Sequence, residues 1–295
     1  MLYFAYGSNL HAKDLARYCT AHGHRPFELP GRAAQLPDYL PAFHYHSTSR
    51  QGGALDAAAS LGHACAGALF DLSPDQVSVL DEKESAGVNY ERRDVIVACE
   101  GALLRAFTYC VREERRERFI APTAEYLQIV SKGYAAFAHD DENLRRAATK
   151  RPPRPVNRLF VYGTLMRGES RERFLRAGSV APAHLGGMCL LDLSEYGDYP
   201  GMRQVPTHPE ARVLGELVEL DAAHMPSVLR ELDAVEDFFG YDDLLAAMPR
   251  SMYERTLCEV GGELAWTYVL RPGYDGPRIV SGDWRRRGGV GESEL

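Results

Sequence analysis

The chain has 295 residues, 45% of them hydrophobic and 25% charged, a mix that excludes a disordered protein and supplies enough apolar residues for two packed cores. Its formal net charge of −7 gives no electrostatic bias toward nucleic acid. No run reaches the ~18–20 apolar residues of a membrane helix. The six cysteines are scattered without a CxxC pair, which argues against a zinc site and a disulfide framework.

The chain begins MLYFAYGSNL, with no basic segment ahead of its apolar run, so no secretory leader is expected and a cytoplasmic protein is. Leu2–Tyr6 reads as an apolar, aromatic strand. It runs into Tyr6-Gly7-Ser8-Asn9-Leu10. A strand ending in Gly, then Ser and Asn, turns sharply and aims successive backbone N–H groups into one concavity, a nest for carboxylate or phosphate. A helix is predicted over Lys13–Cys19 and a strand over Ala66–Leu72. The next helix announces its own start, with Ser73 as N-cap, Pro74 first and Gln76 at the third position. It carries Leu80-Asp81-Glu82-Lys83-Glu84. Glu84 stands one turn after the core-facing Leu80, on the same face. Its carboxyl should therefore be desolvated and its pKa raised, as a proton shuttle near neutral pH requires. Strands Glu91–Ala98 and Leu103–Val111 and helices Thr123–Ala138 and Asp141–Ala148 follow.

Lys150-Arg151-Pro152-Pro153-Arg154-Pro155 cannot continue a helix and reads as an extended connector. It places the boundary between a domain over 1–150 and another over 156–295. The second opens on strand Arg158–Tyr162 and the loop Tyr162-Gly163-Thr164-Leu165, with a helix predicted over Ser170–Ala177. Strand Val213–Leu220 leads through Asp221-Ala222-Ala223-His224, which offers Asp221 in the place of the Ser73 cap, into a helix bearing Leu232-Asp233-Ala234-Val235-Glu236. Strands Glu254–Val260 and Leu264–Leu270 flank Gly261-Gly262, a hairpin signal.

The second half thus repeats four landmarks of the first, in order: the glycine loop, LDxxE, Tyr-Glu-Arg (Tyr90–Arg92, Tyr253–Arg255) and an aromatic-Thr-Tyr piece (Phe107–Tyr109, Trp266–Tyr268). A repeat this long means duplicated domains, not a solenoid. Many short strands and few helices predict an α+β chain of two tandem small mixed β-barrels, closed or half-closed, with peripheral helices. Other chemistries lack their motifs. There is no GxSxG elbow and no phosphate-binding Walker loop. His22 and His24, and His44 and His46, are spaced to share a strand face, but neither pair recurs or has an evident acidic or cysteine partner, so no metal is expected.

At these residues the chain resembles a known family. The first half, from Met1 to about Ala148, is similar to γ-glutamylcyclotransferases through Tyr3–Leu10, Leu40–Phe43, Ser49–Ala54, Cys65–Leu72, Leu80–Glu84 and Tyr90–Arg93. The second, about Leu159 to Trp284, resembles the AIG2-like branch that includes γ-glutamylamine cyclotransferases. It does so through Leu159–Gly168, Tyr199–Gly201, Val213–Glu216, Leu232–Glu236, Tyr253–Arg255 and Ser281–Trp284. The resemblance implies that the α-amine of a γ-glutamyl group attacks its own γ-carbonyl, forming 5-oxoproline and freeing an amine or amino acid. It implies Glu84 and Glu236 as acid/base residues. Tyr6, Gly7, Ser8, Asn9 and Leu10, and Tyr162, Gly163, Thr164 and Leu165, become substrate-binding loops, with Tyr109 and Tyr268 capping the pockets. It implies a small-molecule γ-glutamyl substrate, no cofactor and no nucleic-acid or membrane partner. Where the family often has Gly after the glutamate, Ser85 and Asp237 stand here. Two alternatives compete: a non-catalytic binding module that keeps the pocket, and a different amide-processing enzyme, for which Ser8 is the one nucleophile in place.

Overall fold

Short apolar strands need partners along both edges, and in the first half they find them by closing into a barrel. The computed structural model describes residues 1–27 and 30–287. It divides into two units, Met1–Pro155 and a second that begins at Val156. The first contains β1 (Leu2–Ala5), α1 (Ala12–Ala21), β2 (Gly31–Ser47), β3 (Gly52–Asp71), α2 (Pro74–Glu84), β4 (Tyr90–Cys99), β5 (Ala102–Val111), α3 (Ala124–Ala136) and α4 (Glu142–Ala148). The barrel order is β1-β3-β2-β4-β5. It closes where β1 meets β5 in parallel, Tyr3 opposite Phe107. Phe4, Leu36, Leu69, Leu80 and Val97 are buried in its core.

The β2–β3 hairpin is far longer than the predicted strand Ala66–Leu72. Its Ala- and Gly-rich sequence has weak strand propensity, but continuous pairing from Gly31–Phe70 to Ser47–Gly52 overrides it. Bulges between Pro37 and Tyr39 and between Phe43 and Tyr45 bend the hairpin around the barrel. The predicted capping box at Ser73 and Gln76 is present, and Thr123 caps α3.

The second unit contains β6 (Arg158–Val161), β7 (Ser179–Gly186), β8 (Met188–Asp192), β9 (Pro200–Gln204), β10 (Arg212–Glu219), α5 (Met225–Val235), α6 (Tyr241–Leu245), β11 (Tyr253–Val260) and β12 (Glu263–Leu270). Its main sheet runs β11-β12-β6-β10-β7, with β8 and β9 as a separate two-stranded ribbon. β6 and β12 pair in parallel, as β1 and β5 do. What is one long hairpin in the first unit is broken here into β7, β8, β9 and β10, with Gly187 at φ 66 separating β7 from β8.

Two predicted features differ. Ser170–Ala177 forms no helix, only the 3-10 turn Glu172–Leu175. Asp221 does not cap α5. Its side chain accepts from the Ala223 N–H at 2.9 Å, and the helix starts at Met225 with His224 as N-cap. Gly261 and Gly262 take φ of 62° and 83°, as a tight hairpin turn needs. Among the described residues no helix is long and apolar enough to cross a membrane.

Candidate active sites

Each site joins the turn after a first strand to the C-terminal end of a helix. In the first unit Leu80 is fully buried and anchors α2, whose last residue is Glu84. Ser85 follows in the left-handed region, φ 48°. In the second, the buried Leu232 anchors α5, Glu236 follows its last residue, and Asp237 is left-handed at φ 48°. That backbone explains why glycine suits the position after the glutamate: it takes positive φ without steric cost.

The loops also match. The Leu10 N–H donates to the Gly7 carbonyl at 3.1 Å, and the Met166 N–H to the Gly163 carbonyl at 3.0 Å. The N–H groups between them, on Ser8 and Asn9 and on Thr164 and Leu165, have no protein acceptor among the described residues. The hydroxyls of Tyr6 and Tyr162 donate to the carbonyls of Tyr109 and Tyr268, tying each first strand to the last.

Around this frame the two sites diverge. Asn9 Nδ2 donates to Glu84 Oε1 and to the Tyr3 hydroxyl, both at 2.9 Å. Lys83 Nζ lies 3.5 Å from Glu84 Oε1 and 3.3 Å from Ser8 Oγ. Ser8 and Glu84 face a cleft of about 560 Å³. Arg50 also lines it, holding the buried Asp14 through two hydrogen bonds of 3.0 and 2.6 Å while its guanidinium lies over the Tyr126 ring. Leu10 is set apart from the cleft, buried against Gly133 of α3.

In the second unit Tyr162, Gly163, Thr164, Leu165, Glu236 and Tyr268 line one pocket of about 30 Å³, walled by Tyr199 and Pro200. The Glu236 carboxyl has no hydrogen bond or ion pair among the described residues. Part of its surface opens on the pocket, but the surrounding protein desolvates it. That burial pushes its pKa up to about 7; the Asp237 charge adds to the rise and Arg171 opposes it.

The predicted capping tyrosines end up in different places. Tyr268 lines the second pocket, whereas Tyr109 does not line the first cleft. Both hydroxyls are held by the aspartate of LDxxE: Tyr109 donates to Asp81 at 2.8 Å and Tyr268 to Asp233 at 2.7 Å. Each aspartate also takes the arginine of the Tyr-Glu-Arg piece, Arg92 with Nε 2.6 Å from Asp81 and Arg255 with Nη1 3.4 Å from Asp233. These two arginines pair with the aspartates rather than with Glu84 or Glu236. The signal for this network was in the sequence, because its three parts recur together.

The histidine spacing gave an incomplete picture. His44 does find an acidic partner, Asp56 of β3, a fully buried carboxylate that also accepts from the Val111 N–H at 2.9 Å. Among the described residues no group of three or more His, Cys, Asp or Glu gathers as a metal site. All six cysteines are free.

The profile of a family described as gamma-glutamyl cyclotransferase, AIG2-like, matches residues 3–128 and again 159–286. The chain belongs to that family, through both of its halves. A gamma-L-glutamyl-butirosin B gamma-glutamyl cyclotransferase from Niallia circulans is 30% identical over 135 residues, covering 43% of this chain and 75% of that protein. Among solved structures, a gamma-glutamyl cyclotransferase aligns with 22% identity over 51% of this chain and 88% of its own, TM-score 0.43. YkqA from Bacillus subtilis aligns with 16% identity over 93% of this chain and 85% of its own, TM-score 0.35.

Proposed function

We propose that the protein is a γ-glutamyl cyclotransferase that releases 5-oxoproline and a free amine or amino acid from a γ-glutamyl amide, with Glu84 and Glu236 as acid/base residues. The observation that carries this reading is the second pocket. There a carboxyl whose pKa is pushed up to about 7 shares about 30 Å³ with a glycine loop that has free N–H donors. A group poised at that pKa can both take and return a proton near neutrality.

The chemistry then follows. The substrate's α-ammonium gives a proton to the glutamate. The freed amine attacks the γ-carbonyl, forming the C–N bond of the lactam, and the oxyanion faces the loop N–H groups. The original amide C–N bond breaks as the glutamate returns that proton to the departing nitrogen, and the second proton of the ring nitrogen passes by the same carboxylate to the freed amine, which leaves as an ammonium. Holding the γ-glutamyl chain folded back supplies the rest as proximity. The name of the Niallia circulans relative, an enzyme for a γ-glutamylated butirosin, supports amides of free amines as substrates alongside γ-glutamyl amino acids.

The test is 5-oxoproline release from a panel of γ-glutamyl amides by wild type, Glu84→Gln, Glu236→Gln and the double variant. Losing a general base lowers the rate of the affected half by about 10²–10⁴, so the double variant should be nearly silent. A folded wild type that releases no 5-oxoproline across the panel would favour a binding module. Ser8→Ala should leave activity largely intact; abolition would mark Ser8 as a nucleophile and the enzyme as a different amide-processing one.

A further inference from the structure

The two sites differ most in the room above the loop glycine. A Cβ added to Gly7 would meet nothing closer than the Tyr126 hydroxyl, 3.9 Å away. The same atom on Gly163 would lie 2.5 Å from Cγ of Pro200. The first site accordingly opens into about 560 Å³, with Tyr18, Tyr45, Arg50 and Tyr90 among its walls. The second holds about 30 Å³, room for little more than a water molecule.

The narrowing is built into the second unit. The Tyr199 ring folds across Gly197, where a Cβ would come within 2.2 Å of it. Its hydroxyl donates to the Tyr196 carbonyl at 3.2 Å, and the Arg171 guanidinium stacks 5.6 Å from the ring centre. The next residue, Pro200, is pinned through its carbonyl, which accepts from the Tyr253 hydroxyl at 2.7 Å. Pro200 is buried, whereas Tyr199 is half-buried, which makes its ring the more exposed of the two walls.

Resting on the reading of both sites as cyclotransferase sites, we infer that the two halves divide γ-glutamyl amides by the bulk of the leaving amine, with Tyr199 as the residue that sets the limit in the second. The γ-glutamyl head is the same in every substrate, so a difference in room acts on the leaving side. In the first half a broad, polar amine fits between the tyrosines and Arg50. In the second the head itself exceeds the open space, so Tyr199 swings aside on entry. A slender amine lets the ring close back over the site. A bulky one holds it open and admits water to the Glu236 carboxyl, which then loses the desolvation that tunes it.

The experiment uses the full chain and two substrates, γ-glutamyl-ethylamide and the γ-glutamyl amide of tryptamine. Both leaving groups are primary alkylamines, so bulk is the main difference. Glu236→Gln reports the first half and Glu84→Gln the second, by kcat/KM for 5-oxoproline release. The first half should treat the two amides within a few-fold of each other. The second should prefer ethylamide by about tenfold or more, the scale of steric discrimination. Adding Tyr199→Ala to Glu84→Gln should erase most of that preference, and Tyr199→Phe should keep it. Equal selectivity in the two halves, or a second half silent toward both amides, overturns the inference while leaving cyclotransferase chemistry in place. Absence of 5-oxoproline from both halves with every amide would instead remove the reading beneath it. The comparison of Glu84→Gln with Glu236→Gln decides the matter even if Tyr199→Ala does not fold.

Discussion

The two halves present the same loop and the same glutamate in different surroundings. In the first, the loop supplies Asn9 and the helix supplies Lys83, and both reach Glu84. In the second, Leu165 and Val235 stand at the matching motif positions, and Glu236 has no polar partner among the described residues. Two substitutions beside an unchanged carboxylate replace a hydrogen-bonded, ion-paired environment with a desolvated one. Recurrence of a motif therefore marks a candidate site, while the surroundings of its carboxyl are set by neighbours the motif does not contain.

The sharpest test of that difference concerns the LDxxE aspartates. Arg255 is 1% exposed, whereas the Arg92 side chain is 38% exposed. Asp233→Ala should leave a buried guanidinium charge with a lost partner and cost about 3–5 kcal/mol. Asp81→Ala strands a solvated one and should cost about 1 kcal/mol or less. Urea unfolding of both variants checks this, and equal losses would mean that the depth of the arginine does not matter.

The loop glycines come next. Gly163→Ala drives a methyl into Pro200 and should destabilise the second half by about 1–3 kcal/mol, the cost of overpacking. Gly7→Ala meets nothing closer than the Tyr126 hydroxyl at 3.9 Å, an ordinary contact, so its Tm should fall less than that of Gly163→Ala.

A smaller effect should appear in pH dependence. The Glu236 pKa is raised from 4.5 to about 7. Between those values the folded protein holds a proton that the unfolded chain has released. This contribution to stability is present below the unfolded pKa and is lost as pH rises through the folded one. Allowing for solvent at the pocket mouth, it should amount to roughly 1–2 kcal/mol. Glu236→Gln should therefore raise Tm relative to wild type at pH 8 and leave it close to unchanged at pH 4. In a Glu84→Gln background, kcat/KM should fall as pH drops below 7, because the base becomes protonated. A flat profile there would separate Glu236 from the proton transfer.

The smallest difference lies in the helices that carry the glutamates. Ser73→Ala removes a reciprocal capping box from α2 and should cost about 1 kcal/mol. Asp221→Ala should cost less, since that side chain does not cap α5. Thermal melts of the two variants compare them directly.

Features encoded within a few residues were legible from the chain alone. The Gly-containing turns, the Ser73 cap and the Gly261-Gly262 hairpin depend on local backbone and nearby hydrogen bonds, and each could be read before folding. The placing of Leu80 and Leu232 under their glutamates follows from helical periodicity, which is equally local. The Ser170–Ala177 segment forms only the 3-10 turn Glu172–Leu175, because polar composition alone does not separate a helix from a shorter turn. The length of β2–β3 was not legible, because an Ala- and Gly-rich run becomes a strand only when its partner is present.

What the sequence by itself determined is the duplication, the family and the recurrence of the two loops and two glutamates, because each is carried by short motifs whose order and spacing survive without a structure. Only the tertiary structure decided that Lys83 and Asn9 converge on Glu84, that Asp81 and Asp233 hold the strand tyrosines, and that Pro200 closes over Gly163. Most of those contacts join residues far apart in the chain. Their geometry is set by how the strands register and where a hairpin breaks, which no local pattern records.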